Sequence, residues 1–238
     1  MTLRSGLTRV ISKPAKEPVK VPVKKPVTIY LLRHAHSQAN NRGILAGRKK
    51  GIKLSARGKK EAVALVNSLN ELGISEIHAS PLERCLETIA PFSEQAQGIP
   101  LIQDEAFIEM HYGDWSGAKL SSLSRKKLWK TIQSNPSQVR FPAGESFHEL
   151  CSRAIEGIEK LRNRGGTQLV VSHGDVIRVI LNHYLGSHLD NFQRLSIEPA
   201  SLSRISFHGD RISIQFINVT SKISGNTDST LGGGSGKK

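Results

Sequence analysis

Two short apolar runs, Thr28 to Leu32 and Gln168 to Val171, each stop within two residues of a histidine in a polar setting: Arg33-His34 in the string RHAHSQAN, and His173 in SHGD. A β-strand delivers its last side chain to one edge of a sheet, so two strands of like pattern can bring both histidines to one site. This constraint favours a fold in which the two runs are strands of a common sheet.

The pattern between them alternates strand and helix. From Ser55 onward, Ala62, Leu65, Val66, Leu69 and Leu72 recur at offsets of three and four, drawing one apolar stripe that Gly73 stops. Ile74 to Ala79 reads as a short strand, and Leu82 to Ala96 as a helix kinked or broken at Pro91. Further helices are expected over Leu120 to Lys130 and over Glu145 to Arg164. The strand TQLVVS then runs into a helix from Asp175 to about Tyr184. SLSRISF and RISIQFINV alternate with period two around residues 208 to 210, the pattern of a hairpin. Strands alternating with crossover helices predict an α/β fold, a three-layer α/β/α sandwich whose sheet is mostly parallel with an antiparallel addition.

A chain of 238 residues is ample for one sizeable core. We expect one domain over residues 27–220, with a basic disordered arm at 1–26 and a flexible Gly/Ser-rich tail at 221–238. The net charge of +14 would ordinarily point to nucleic acid or an anionic surface. Much of the excess, however, lies in residues 1–26, where seven Lys or Arg face a single Glu and a Lys/Pro/Val repeat offers no continuous apolar face. Runs such as Lys59-Lys60 and Arg125-Lys126-Lys127 lack interleaved aromatics and read as solvated faces, so nucleic acid is not favoured as a partner. The acid-free opening MTLRSGLTRVIS admits a transit peptide as the weaker reading. No apolar run approaches the roughly 20 residues of a membrane span. Cys85 and Cys151, far apart and outside any ligand spacing, support neither a disulfide framework nor a zinc site, and a reducing cytoplasm is the expected compartment.

Beyond the strand ends the layout gathers Arg33, His34, Ser80, Arg84 and His173. Two guanidinium forks suit phosphate oxygens, a neutral imidazole is a nucleophile at neutral pH, and a second histidine adds a donor. That set suits phosphoryl transfer. The helix start after Ser172-His173-Gly174 would add amide donors, and Gly174 lets backbone approach a ligand.

These residues resemble the histidine phosphatase, or phosphoglycerate mutase-like, superfamily over roughly residues 27 to 215. Its opening signature is similar to Arg33, His34, Ala35, His36, Ser37 and Asn40. A Leu-Ser-x-x-Gly helix start resembles Leu54, Ser55 and Gly58, and the Ser-Pro-Leu-x-Arg-x-x-x-Thr segment resembles Ser80 through Thr88. Glu109, Gly113, Trp115 and Gly117 match a fourth element, Pro142, Gly144, Glu145 and Ser146 a fifth, and Ser172-His173-Gly174 the last. Six motifs in order make chance a poor explanation.

The resemblance implies a phosphoglycerate mutase-like fold and a phosphohistidine mechanism without metal or cofactor. His34 would be the nucleophile, with Arg33, Arg84 and His173 holding the phosphoryl oxygens. Glu109 would serve as general acid and then base, with Asp104 and Glu105 as competing carboxylates. Ser37, Asn40 and Gly174 would contact the phosphate. The subgroup it is closest to is that of broad-specificity phosphatases and probable phosphomutases. Hydrolysis of a small phosphorylated metabolite is the leading function, mutase activity the alternative, and non-catalytic binding of a phosphoester or nucleic acid the third; a homodimer is left open. Departures from the pattern are Ala35 for glycine, and His36 and Ser116 for glutamates, the latter two expected to alter substrate contacts. Arg42 to Lys53, basic and acid-free, is expected to form a rim that draws in an anion. Trp115 and Trp129 read as packing residues, with Trp115 also near the pocket mouth, and loops around Lys119 to Val139 would read the leaving group.

Overall fold

The computed structural model describes residues 26–220; the arm (1–26) and tail (221–238) expected from the sequence lie outside the described residues but for Pro26. Six strands form one sheet in the order β3-β2-β4-β1-β5-β6: β1 Val27–Arg33, β2 Glu76–Ala79, β3 Leu101–Gln103, β4 Gly166–Ser172, β5 Leu202–His208 and β6 Arg211–Val219. Strands β3, β2, β4 and β1 run parallel, while β5 and β6 add an antiparallel hairpin.

Period-two alternation on β1 splits the interior into two cores. Ile29 and Leu31 face one, shared with α6 (Phe147–Arg164) and α7 (Gly174–Tyr184), whereas Tyr30 and Leu32 face the other, shared with α2 (Ala56–Asn70) and α3 (Glu83–Gln95). The sheet is thus the middle of three layers, as expected.

Helix ends follow local chemistry. Ser55 caps α2 by accepting a hydrogen bond from the amide of Gly58 at 3.1 Å, and Ser146 and Glu149 form a capping box on α6. A short helix not anticipated from the sequence, α1 (Gln38–Arg42), is capped likewise by Ser37 and Asn40.

Two sequence expectations change, and one strand is new. Helix α3 is not broken at Pro91 but continues through it to Gln95, giving up the hydrogen bond that this residue cannot donate to the carbonyl four residues earlier. The single helix expected over Leu120 to Lys130 is two, α4 (Leu120–Leu123) and α5 (Lys127–Ser134), separated where Lys126 turns extended. A continuous helix would carry the stripe of Leu120 and Leu123 on to Lys127 and Lys130; restarting it buries Ile132 and packs Leu128 and Trp129 instead. Strand β3 was not foreseen because it is three residues long, on the sheet edge, and largely exposed.

The register of β1 against β4 sets Arg33 opposite Ser172. His34 and His173 therefore each stand one residue beyond a matched pair on neighbouring central strands. No helix among the described residues is long and apolar enough to cross a membrane.

Candidate active site

His34 is 4 % exposed. Its amide donates to the carbonyl of Ser172 at 2.9 Å, locking the end of β1 to β4. Ring atom Nδ1 lies 2.8 Å from the carbonyl oxygen of Ala35. A carbonyl only accepts, so Nδ1 carries the proton and the lone pair is left on Nε2. Ala35 keeps an ordinary negative φ, so replacing the usual glycine adds no strain. Its amide donates to Thr88 Oγ1 at 2.9 Å, and the Thr88 hydroxyl donates to the Arg84 carbonyl at 2.6 Å. The first turns of α3 thereby hold the backbone that follows His34.

Arg84, 1 % exposed, donates from Nη2 to the carbonyl of Gly47 at 3.0 Å and to His173 Nδ1 at 3.1 Å. With Nδ1 accepting, the proton of the neutral His173 ring sits on Nε2 and points to Ser80 Oγ, 2.7 Å away. The rings of His34 and His173 meet edge to face at 5.3 Å. Arg33 anchors Nη1 on the Ile197 carbonyl. Its guanidinium lies over Gly174, where even a Cβ would make only ordinary contact at 3.4 Å from Nε, and Gly174 lines the cavity beside it.

Glu109 is buried. Oε1 accepts from the Met110 amide at 2.9 Å, and its own carbonyl accepts from Arg48 Nε (2.8 Å) and Arg153 Nη2 (3.2 Å). Both arginines also grip Glu145, whose Oε1 accepts from the His111 amide. The competing carboxylates do not reach the cavity: Asp104 pairs with His78, and Glu105 is not among the lining residues.

Arg33, His34, Ser37, Asn40, Arg84, Glu109 and Gly174 line a common cavity of about 270 Å³, with His173 directly behind Arg84. Ser37 and Asn40 reach it while capping α1: the Ser37 hydroxyl donates to Asn40 Oδ1 at 2.8 Å. The structure thus gathers seven of the expected residues on the cavity wall, whereas His173, fully buried with one ring nitrogen on Arg84 and the other on Ser80, stands behind that wall. Two expectations at the margin are corrected. Neither His36, bonded to Ser55, nor Ser116, packed against Gly47, lines the cavity. The segment from Arg42 to Lys53 is less a free rim than a brace, since Arg48 turns inward to Glu109 and Glu145 while Gly47 receives Arg84.

Sequence reasoning missed Asp175 and Arg178, which line the cavity and pair at 3.0 Å, and the Tyr112 hydroxyl, which donates to Asp175 at 2.7 Å. The signal available for Asp175 was its place in the first turn of the helix after His173. Arg48 had none, because a loop residue carries no period.

Electrostatics follow from burial beside cations. Desolvation and then the Arg84 charge push His34 and His173 far below the usual imidazole range, so both rings are neutral at pH 7. Desolvation and then the Asp175 carboxylate raise Glu109 to about 7. Buried Arg33 Nε and Arg84 Nε and Nη1 have no hydrogen-bond partner among the described residues. Unpaired buried guanidinium donors are costly unless an anion completes them, and a tetrahedral oxyanion fits that need.

The family model for the histidine phosphatase superfamily (branch 1) matches residues 29–220. The chain belongs to that superfamily. Within it, the chain is 31 % identical to phosphoserine phosphatase 1 of Hydrogenobacter thermophilus, over 82 % of this chain and 93 % of that protein. It is 30 % identical to the probable phosphoglycerate mutase GpmB of Escherichia coli O1:K1 / APEC, over 75 % and 84 % of the two chains. Among solved structures it resembles Bacillus stearothermophilus YhfR, with a TM-score of 0.75 and 25 % identity over 82 % of this chain and 98 % of that one. The fold is also that of the α-ribazole phosphatase from Shigella flexneri, with a TM-score of 0.71 at 23 % identity over 81 % and 96 %. This histidine phosphatase superfamily member thus combines a neutral buried imidazole, two buried guanidinium groups and a carboxyl raised to about 7 in one cavity.

Proposed function

We propose that the chain hydrolyses small-molecule phosphomonoesters through a phosphohistidine on His34. The observation that carries this reading is the hydrogen bond from His34 Nδ1 to the Ala35 carbonyl, which leaves Nε2 unprotonated beside three orphaned guanidinium donors. Nε2 attacks phosphorus, the ester P–O bond breaks, and protonated Glu109 delivers its proton to the leaving oxygen. Glu109, now a carboxylate, then takes a proton from water, whose oxygen attacks phosphorus as the P–N bond breaks. Phosphate departs with His34 neutral and Glu109 protonated again. Arg33 and Arg84 supply positive potential to the oxygens that gather charge in transit, and His173 holds the Arg84 guanidinium in place through Nδ1.

The resemblance to GpmB keeps a mutase reading in view, in which the phosphoryl group of His34 returns to a hydroxyl of the same substrate skeleton instead of to water. Purified full-length protein incubated with a phosphomonoester panel is expected to release phosphate and to carry, in base-quenched samples, an acid-labile label on His34. His34→Ala should lose at least about a thousandfold in rate. Release by His34→Ala at the native rate would overturn the phosphohistidine reading, and isomerised phosphoglycerate without free phosphate would replace hydrolysis by mutase chemistry.

A further inference from the structure

Resting on the phosphatase reading, we propose that the leaving group taken by this site is an uncharged alcohol with an apolar or aromatic body, in preference to a zwitterionic one such as serine. The cavity has two unlike halves. One is the phosphate cradle of Arg33, Arg84 and His34. The other is walled by Leu45, Trp115, Leu120, Trp129, Ile132 and Phe141.

Charges in that second half are already matched. Arg178 donates to Asp175 and to the Leu195 carbonyl, and the remaining oxygen of Asp175 accepts from the Tyr112 hydroxyl. The other polar liners there, Gln133 and Gln193, are neutral, and Gln193 already donates to the Ile132 carbonyl. A substrate carboxylate or ammonium entering here would give up its water and find only charges already paired with each other, so it would have to share Arg178 with Asp175 or Asp175 with Arg178 and Tyr112. An apolar body meets no such cost and gains by leaving water.

The wall is also pre-set. Trp129 stacks on Trp115 with ring centroids 6.4 Å apart and planes 16° apart, and Trp115 meets Phe141 edge to face at 5.4 Å. These rings are held by one another, so little side-chain entropy is lost when a ligand contacts them. At the mouth Leu120 stays 38 % exposed, continuous with the apolar wall. A cavity of about 270 Å³ is small for a ligand site, which limits the body to roughly one ring or a short chain beyond the phosphate.

The test uses alcohol esters of similar intrinsic reactivity: 2-phenylethyl, n-hexyl and ethyl phosphate, with phosphoserine beside them. The full-length protein is expected to turn over the first two with kcat/KM at least about tenfold above ethyl phosphate and phosphoserine, the worth of a few buried methylenes. Trp129→Ala should cut the phenylethyl-to-ethyl ratio about tenfold, and Trp129→Phe should keep most of it. Phosphoserine turned over as well as the apolar esters, or an equal loss on both esters in Trp129→Ala, would overturn this inference while leaving the phosphatase reading intact. Release from none of the four would overturn both.

Discussion

Glu109 Oε2 approaches His173 Nδ1 to 3.7 Å, yet at neutral pH the two do not form an ion pair. His173 is held neutral by burial and by Arg84, and Glu109 is half protonated near pH 7. The contact is a meeting of a neutral imidazole with a carboxyl poised to release a proton.

That poise predicts a pH signature. The acid form of Glu109 is depleted as pH rises through about 7, so kcat/KM for an alkyl phosphate should decline over the same range. Glu109→Gln should lower kcat roughly 10²–10⁴-fold and erase this limb. Stability carries the same sign. A carboxyl raised from 4.5 to about 7 binds its proton more tightly in the folded chain, so its contribution is full below the unfolded value and is lost as pH climbs through about 7. Glu109→Gln should therefore unfold at higher urea than the native chain at pH 8, by roughly 1–3 kcal/mol, and show no gain at pH 4.

Glu145 predicts a loss of rate without contact with substrate. It holds Arg48 and Arg153, which in turn hold the carbonyl of Glu109. Glu145→Gln leaves both guanidinium groups short of their counter-charge, with an expected cost of about 1–3 kcal/mol in urea denaturation. Loosening the Glu109 backbone should lower kcat about tenfold with KM nearly unchanged. A rise in KM at constant kcat would show that the clamp does not position the acid.

Gly58 predicts a purely structural defect. A Cβ on it would lie 2.0 Å from the His36 carbonyl oxygen, a backbone atom that already accepts from Ser55. Gly58→Ala should cost at least about 1–3 kcal/mol, read as a lower thermal midpoint, because only a backbone shift can relieve the clash.

The two histidines and Arg33 were legible because each follows a strand, and strand ends in a parallel sheet converge by construction. Arg84 and Thr88 were legible from their motif, although their shared task, securing the Ala35 amide just after His34, emerged only from the contacts. Ser55 and Gly58 were read as a helix start, and the close approach of Gly58 to His36 explains why that motif ends in glycine. What stayed hidden had no local period. Arg48 reaches Glu109 across 61 positions of chain, the α4–α5 break depends on which lysines the core rejects, and β3 is too short to alternate. Trp129, read as packing, does pack on Trp115, but it also lines the cavity.

The excursion from Lys119 to Val139 supplies Leu120, Trp129 and Ile132, while both imidazoles are seated by β1 and β4. Substitutions can therefore accumulate on that excursion without disturbing where the proton of His34 resides. Half of the apolar wall thus rides on a segment that carries neither histidine, so its shape can drift across generations while the imidazoles stay where the central strands put them.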